Sequence, residues 1–166
     1  MANTYVALAK TVLTSSAAYV DFDSIPQTYT DLLIVASTRD DGGAGEQNIY
    51  VRNNKAAFSS ARGLEGNGSS ASSNSYANQG SVPNTAFTSN TFNNSEFYIA
   101  NYTYAGKHQT SSTVANENNT TTITNGTRLT AAVDSETTAV TSIRVACSGA
   151  SFVSGSSFYL YGIKNS

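Results

Sequence analysis

The stretch Tyr19-Val20-Asp21-Phe22-Asp23-Ser24-Ile25-Pro26-Gln27-Thr28-Tyr29-Thr30-Asp31-Leu32-Leu33-Ile34-Val35-Ala36 decides the fold class. Val20 and Phe22 alternate with Tyr19, Asp21 and Asp23, the period of a strand with one face on a core and one in water. Asp21 to Ile25 reads as strand, and Pro26 ends it, because proline brings no N–H to a ladder. Pro26 and Asp31 bracket a turn. Leu32 to Ala36 is then apolar without a break, long enough for a central strand covered on both faces and too short for a helix.

The same period of two extends outward in both directions. Val6, Leu8 and Lys10 alternate with Tyr5, Ala7 and Ala9, continuing to Val12. Asp40-Asp41-Gly42-Gly43 reads as a turn, since Asp favours its first positions and Gly tolerates positive φ. Ile49 and Val51 mark another strand, and Phe58 and Leu64 a short one. Residues 65–95 change character: Gly66-Asn67-Gly68-Ser69-Ser70-Ala71-Ser72-Ser73-Asn74 has little to bury and Pro83 follows. A long, exposed Gly/Ser/Asn-rich excursion is expected there, with one short strand near Ala86-Phe87; loops this long are usually functional or ordered by a partner. Strands resume at Glu96 to Tyr102, more weakly at Ser111 to Ala115 and Thr120 to Thr124. They continue at Arg128 to Val133, Val140 to Cys147 and Phe158 to Ile163. Eight to ten strands without a helix imply an all-β, antiparallel two-sheet sandwich in a single domain over residues 1–166.

Composition excludes several function classes. Nine basic residues against eleven acidic ones cannot make the basic patch of a nucleic-acid binder. Ten Tyr and seven Phe are too many for a disordered chain, and 62 Ser, Thr and Asn among 166 residues are too many for a helical bundle. No stretch approaches the roughly 20 apolar residues of a membrane helix. Met1-Ala2-Asn3-Thr4-Tyr5 lacks the pattern of a secretion signal, so triplets such as Asn101-Tyr102-Thr103 imply no glycosylation.

The chemical inventory is thin. Cys147, the single cysteine, sits in the alternating run Ile143-Arg144-Val145-Ala146-Cys147 and reads as a small buried hydrophobe. His108, in Gly106-Lys107-His108-Gln109-Thr110, has no nucleophile motif beside it and reads as a surface histidine. One His and one Cys leave no zinc site. Asp40, Asp41 and Glu46 around Gly42, Gly43 and Gly45 offer oxygen ligands, but their spacing is not that of a calcium loop, and a solvated turn is the simpler reading. Asp21 and Asp23 lie about 7 Å apart on one strand face, a separation within glycosidase range with nothing else to support it. Gly66-Asn67-Gly68 lacks the lysine of a phosphate-binding loop. No catalytic, cofactor-binding or metal-binding residues are assigned, and no enzyme or cofactor is expected. Two features suit binding. Tyr98, Tyr102, Tyr104, Tyr159 and Tyr161 alternate along two segments, as interface or half-buried sandwich tyrosines do. The uncharged Ser/Thr/Asn surface costs little desolvation on burial and suits subunit contacts or sugars.

Three segments carry a resemblance. Leu8-Ala9-Lys10-Thr11 with Val20 to Val35, then Ala100-Asn101-Tyr102, then Leu160-Tyr161-Gly162-Ile163-Lys164, together resemble virion structural proteins of tailed phages, especially marine and cyanobacterial ones. That set looks like jelly-roll sandwich modules that serve as capsid decoration (cement) proteins or as tail-fibre and spike tips. Residues of about 60–95 lie outside the resemblance. It implies a jelly-roll sandwich at the capsid surface of a virion, and it transfers no active site. A chain that starts at Met and forms one sandwich, with no heptads or collagen-like repeats before it, favours decoration. The expected partners are the major capsid protein and copies of itself, as a homotrimer, with no nucleic acid and no membrane. The N-terminal residues and the Gly/Ser/Asn-rich excursion are the expected contact elements. The alternative is a receptor-binding module for host surface glycans.

Overall fold

The computed structural model describes residues 4–43, 47–66, 69–115 and 127–164. Their alternating pattern builds twelve strands: β1 (Tyr5–Val12), β2 (Tyr19–Phe22), β3 (Asp31–Thr38), β4 (Gln47–Asn53), β5 (Phe58–Gly66), β6 (Ala71–Tyr76), β7 (Gly80–Val82), β8 (Asn93–Ile99), β9 (Gln109–Ala115), β10 (Thr127–Asp134), β11 (Ile143–Cys147) and β12 (Ser157–Ile163). They form an eight-stranded sheet, β1-β12-β3-β8-β9-β10-β5-β6, and a four-stranded sheet, β2-β11-β4-β7. Every neighbouring pair is antiparallel.

Without β5, β6, β9 and β10 there remain two sheets of four, β1-β12-β3-β8 and β2-β11-β4-β7. The chain crosses between these sheets at every step except from β4 to β7, which is the winding of a jelly roll. The pairs β5–β6 and β9–β10 are insertions into that winding. They extend the large sheet from the edge of β8.

Hydrophobic burial holds the two sheets together. Leu32, Ile34, Phe97, Ile99, Phe158 and Leu160 of the large sheet meet Val20, Phe22, Ile49, Val51, Ile143 and Val145 of the small one. Phe152 packs edge-on against Phe158 with ring centroids 5.1 Å apart. Full burial of side chains of this size contributes about 1.5–3 kcal/mol each.

Parts of the three segments of the resemblance, around Pro26 to Asp31, Asn101 to Tyr102 and Gly162 to Ile163, meet at one corner of the sandwich. The Asp31 carboxylate accepts the Asn101 N–H at 2.8 Å and the Tyr98 hydroxyl at 2.6 Å. The Tyr102 hydroxyl donates to the Pro26 carbonyl, and Gln27 Nε2 reaches the Val140 carbonyl at 2.9 Å. Thr30 Oγ1 donates to the Ile163 carbonyl at 2.7 Å. Tyr29 lies on Gly162 so closely that an added Cβ would stand 2.5 Å from its ring. Ile25 to Asp31 is therefore a corner brace.

Several expectations need correction. The strand count is twelve among the described residues, because β6 and β7 lie in the segment expected to be an exposed excursion, and β5, expected to be short, is nine residues long. The first of the two strands read at the outset stops at Phe22, and Ser24 turns with a φ of 55°. In β1 a bulge between Ala7 and Ala9 half-buries Leu8 and Ala9 together, so Lys10 turns outward instead of staying with Val6 and Leu8. β3 is covered on one face only, and Leu33 and Val35 on the other stay half-exposed. Residues 65–95 are not one exposed excursion. They hold β6 and β7, and Asn78 to Asn84 are buried. Ala86 and Phe87 lie in a turn, where Asn84 Oδ1 accepts the Ala86 N–H at 2.9 Å. The strand read at Thr120 to Thr124 lies outside the described residues.

Candidate functional site

The outward face of the eight-stranded sheet is the largest ordered surface the fold creates. Strand register lines up two rows across all eight strands. One runs Ala7, Tyr161, Leu33, Tyr98, Ser111, Ala131, Arg62, Ser75. The other runs Lys10, Tyr159, Val35, Glu96, Thr113, Leu129, Leu64, Ser73. None of the sixteen is buried, and only Lys10, Glu96 and Arg62 carry charge. At the ~4.8 Å spacing of strands the rows span about 34 Å. Lys10 Nζ stands 5.6 Å from the centre of the Tyr159 ring, so even this cation lies over an aromatic surface.

The half of that face made by β9, β10, β5 and β6 is concave. Leu64 and Leu129 are direct cross-strand neighbours and are 59% and 50% exposed. They lie in a groove of about 630 Å³, with Arg62, Asn74, Ser111 and Thr113 among its walls. The sequence reading missed this pair, although each leucine sits at an alternating strand position.

Beneath these strands the interior is polar. Asn53 Nδ2 donates to Asp134 at 2.6 Å and to Thr110 Oγ1 at 3.3 Å. Arg128 pairs with Glu65 at 3.0 Å, donates to Asn78 Oδ1 at 2.7 Å and covers the Tyr76 ring at 4.3 Å. Burial pushes the Asp134 carboxyl up, against the Asn53 hydrogen bond that holds it down. Gly80 is required where β7 approaches β9, since a Cβ would stand 2.3 Å from Val114.

The tyrosines divide by face. Tyr98, Tyr159 and Tyr161 belong to the outward rows, whereas Tyr102 is fully buried and Tyr104 is exposed beyond β8. Asn101, with a φ of 50°, breaks the alternation between Tyr98 and Tyr102. The hydrogen bond to Asp31 pushes the Tyr98 phenol up to about 12, so it donates throughout the physiological range.

The remaining candidates occupy separate places. Asp21 receives Arg144 through two bonds of 2.8 Å, and Lys55 bridges Asp21 at 3.2 Å and Asp23 at 2.8 Å. The Arg144 hydrogen bonds hold the Asp21 carboxyl below its usual range, the opposite of what a general acid requires. The Arg144 guanidinium also lies 3.7 Å from the Tyr19 ring centre. His108 is a correction, because it is buried and its Nε2 donates to the Thr138 carbonyl at 2.9 Å. Asp40 is another: instead of a solvated turn it is fully buried. Its Oδ1 accepts the Gly42 N–H at 2.6 Å, and desolvation pushes the carboxyl up to about 6. Asp41 accepts the Ser151 N–H at 2.8 Å. Gly45, Glu46, Asn67 and Gly68 lie outside the described residues. Among the described residues no three His, Cys, Asp or Glu side chains are grouped to hold a metal. Cys147 is buried as expected, and burial pushes its thiol up to about 12.

Fold and surface together define a jelly-roll β-sandwich with one enlarged, largely uncharged sheet face. No protein-family model, curated protein or solved structure matches the chain, and the jelly-roll assignment rests on its own strand order.

Proposed function

We propose that the chain is a phage virion structural protein, a capsid decoration (cement) protein that binds the assembled shell and bridges neighbouring subunits of the major capsid protein. The observation that carries this reading is the outward face of the large sheet. β3 puts Leu33 and Val35 on that side, between Tyr159, Tyr161 and Tyr98, where both stay half-exposed in the monomer. A face about 34 Å wide and six strand residues long measures about 700 Å², near the ~800 Å² per partner of a standard interface. Because so few of its side chains are charged, burying it against a shell costs little desolvation. A homotrimer set over a symmetry axis of the capsid would bridge subunits and raise the barrier to shell rupture.

Virion fractionation tests this. Many copies on DNA-filled, tailless heads, released by the outward-face variant Val35→Lys, support decoration. A few copies confined to isolated tails sink it. That second outcome favours the other reading, a tail-fibre or spike module recognising host glycans. The Leu64–Leu129 groove supports it, since the hydroxyls of Ser73, Ser75, Ser111 and Thr113 flank an apolar floor, as sugar sites require. A polysaccharide-degrading activity finds no support at Asp21 and Asp23, whose carboxylates are taken up by Arg144 and Lys55.

A further inference from the structure

Four strands end the two sheets: β1 and β6 in the large one, β2 and β7 in the small one. An edge strand presents backbone donors and acceptors to any passing strand, and proteins blunt it with charge, proline, a bulge, shortness or cover. β1 carries a bulge and the outward Lys10. β2 is four residues long and holds Asp21 under Arg144 and Lys55. β7 is three residues long, buried, and packed against β9 and β10, and Asn93 donates to its Ser81 carbonyl. Among the described residues β6 has none of these devices. Ala71-Ser72-Ser73-Asn74-Ser75-Tyr76 contains no charge and no proline, and its first five residues are exposed. Its register with β5 runs unbroken from Ala61 opposite Tyr76 to Gly66 opposite Ala71.

We propose that β6 pairs antiparallel with β6 of a second copy of this chain, about a two-fold axis normal to the sheet. Residues directly opposite in an antiparallel pair share a face, so the axis sets one residue against its own copy. Centred on Asn74, the pairing puts Ser73 against Ser75 and Ser72 against Tyr76. Each of these side chains both donates and accepts hydrogen bonds, and no like charges meet. That self-complementarity selects a second copy as the occupant, because a charged foreign strand finds no counter-charge on β6. The pair joins two eight-stranded sheets into one of sixteen strands with both outward faces on the same side. A ladder this short gives a weak pair that appears at high protein concentration. The inference does not depend on the virion reading.

Single cysteines at the axis test it in the purified protein. With buried Cys147 unreactive, mild oxidation of Ser73→Cys or Asn74→Cys gives a chain-to-chain disulfide at whichever lies on the axis, and the exposed control Thr137→Cys gives none. Sedimentation over a concentration series shows self-association that the edge-blocking Ser73→Lys lowers at least tenfold, with an unchanged circular dichroism spectrum. No crosslink at either position, or no step of association that Ser73→Lys weakens, overturns the proposal. So does a Ser73→Lys effect confined to binding another protein, which assigns β6 to a foreign strand.

Discussion

The side-chain amide of Gln79 pairs with the backbone of Val51 in both directions. Its Oε1 accepts the Val51 N–H at 2.6 Å and its Nε2 donates to the Val51 carbonyl at 3.0 Å. Gln79 thus continues the ladder of β4 one residue before β7 begins, with a side chain standing in for a strand. Its own carbonyl accepts Ser112 Oγ at 2.6 Å, which ties the small sheet to β9.

Replacing Gln79 with Leu therefore strands a buried N–H and C=O at Val51. Each costs about 1–3 kcal/mol when left without a partner. A loss of about 3 kcal/mol is expected, roughly 6–12 °C in Tm for a chain of this length. Gln79→Glu is no better, because a carboxylate cannot donate to the Val51 carbonyl. Denaturant unfolding of both variants measures it, and a change within about 0.5 kcal/mol refutes the pairing's importance.

Asp40 makes stability fall as pH rises. Its folded-state pKa of about 6 lies above the 3.8 of an unfolded carboxyl, so the folded form keeps a proton that the unfolded form has lost. The contribution is most favourable below 3.8, is lost between 3.8 and about 6, and is fully lost above that. The whole effect is about 3 kcal/mol at most. Asp40→Asn keeps an oxygen for the Gly42 N–H and removes the titration. Stability measured from pH 4 to pH 8 is expected to decline in the parent and to run flatter in the variant.

Asp21 acts in the opposite sense. Its folded pKa is lowered chiefly by Arg144, so its contribution is present above 3.8 and is lost as pH falls through the depressed value. Asp21→Asn is expected to cost about 1 kcal/mol at pH 7, the scale of a half-exposed pair. The two proteins should converge in strong acid. Unfolding curves at pH 7 and pH 2.5 make the comparison.

Gly162→Ala pushes a methyl group to 2.5 Å from the Tyr29 ring and is expected to cost about 1–3 kcal/mol by overpacking. In the Tyr29→Ala background the same substitution should cost much less. A double-mutant cycle that came out additive would show that the ring does not press on this glycine.

Much of the architecture is legible in the sequence because burial alternates with residue number. Phe158-Tyr159-Leu160-Tyr161 reads as a strand from its own side chains. Gln79, Asn84 and Asn93 do not, because what makes them interior residues is a set of partners far along the chain. Val51 lies 28 positions from Gln79, and Thr38 lies 55 from Asn93. A Ser/Asn-rich segment looks like solvated loop until those partners are known. The outward face escapes for a related reason. Leu33 and Val35 announce a covered strand, and only the strand order leaves their side of the sheet open.

The strand order also dictates a sequence of events during synthesis. β5 and β6 leave the ribosome before β8, yet their place in the large sheet lies beyond β10, which begins at Thr127. The 58–76 hairpin must wait, edge and leucine exposed, while about 50 further residues are made. The place of that hairpin in the large sheet can be filled only once Thr127 and the rest of β10 have been made.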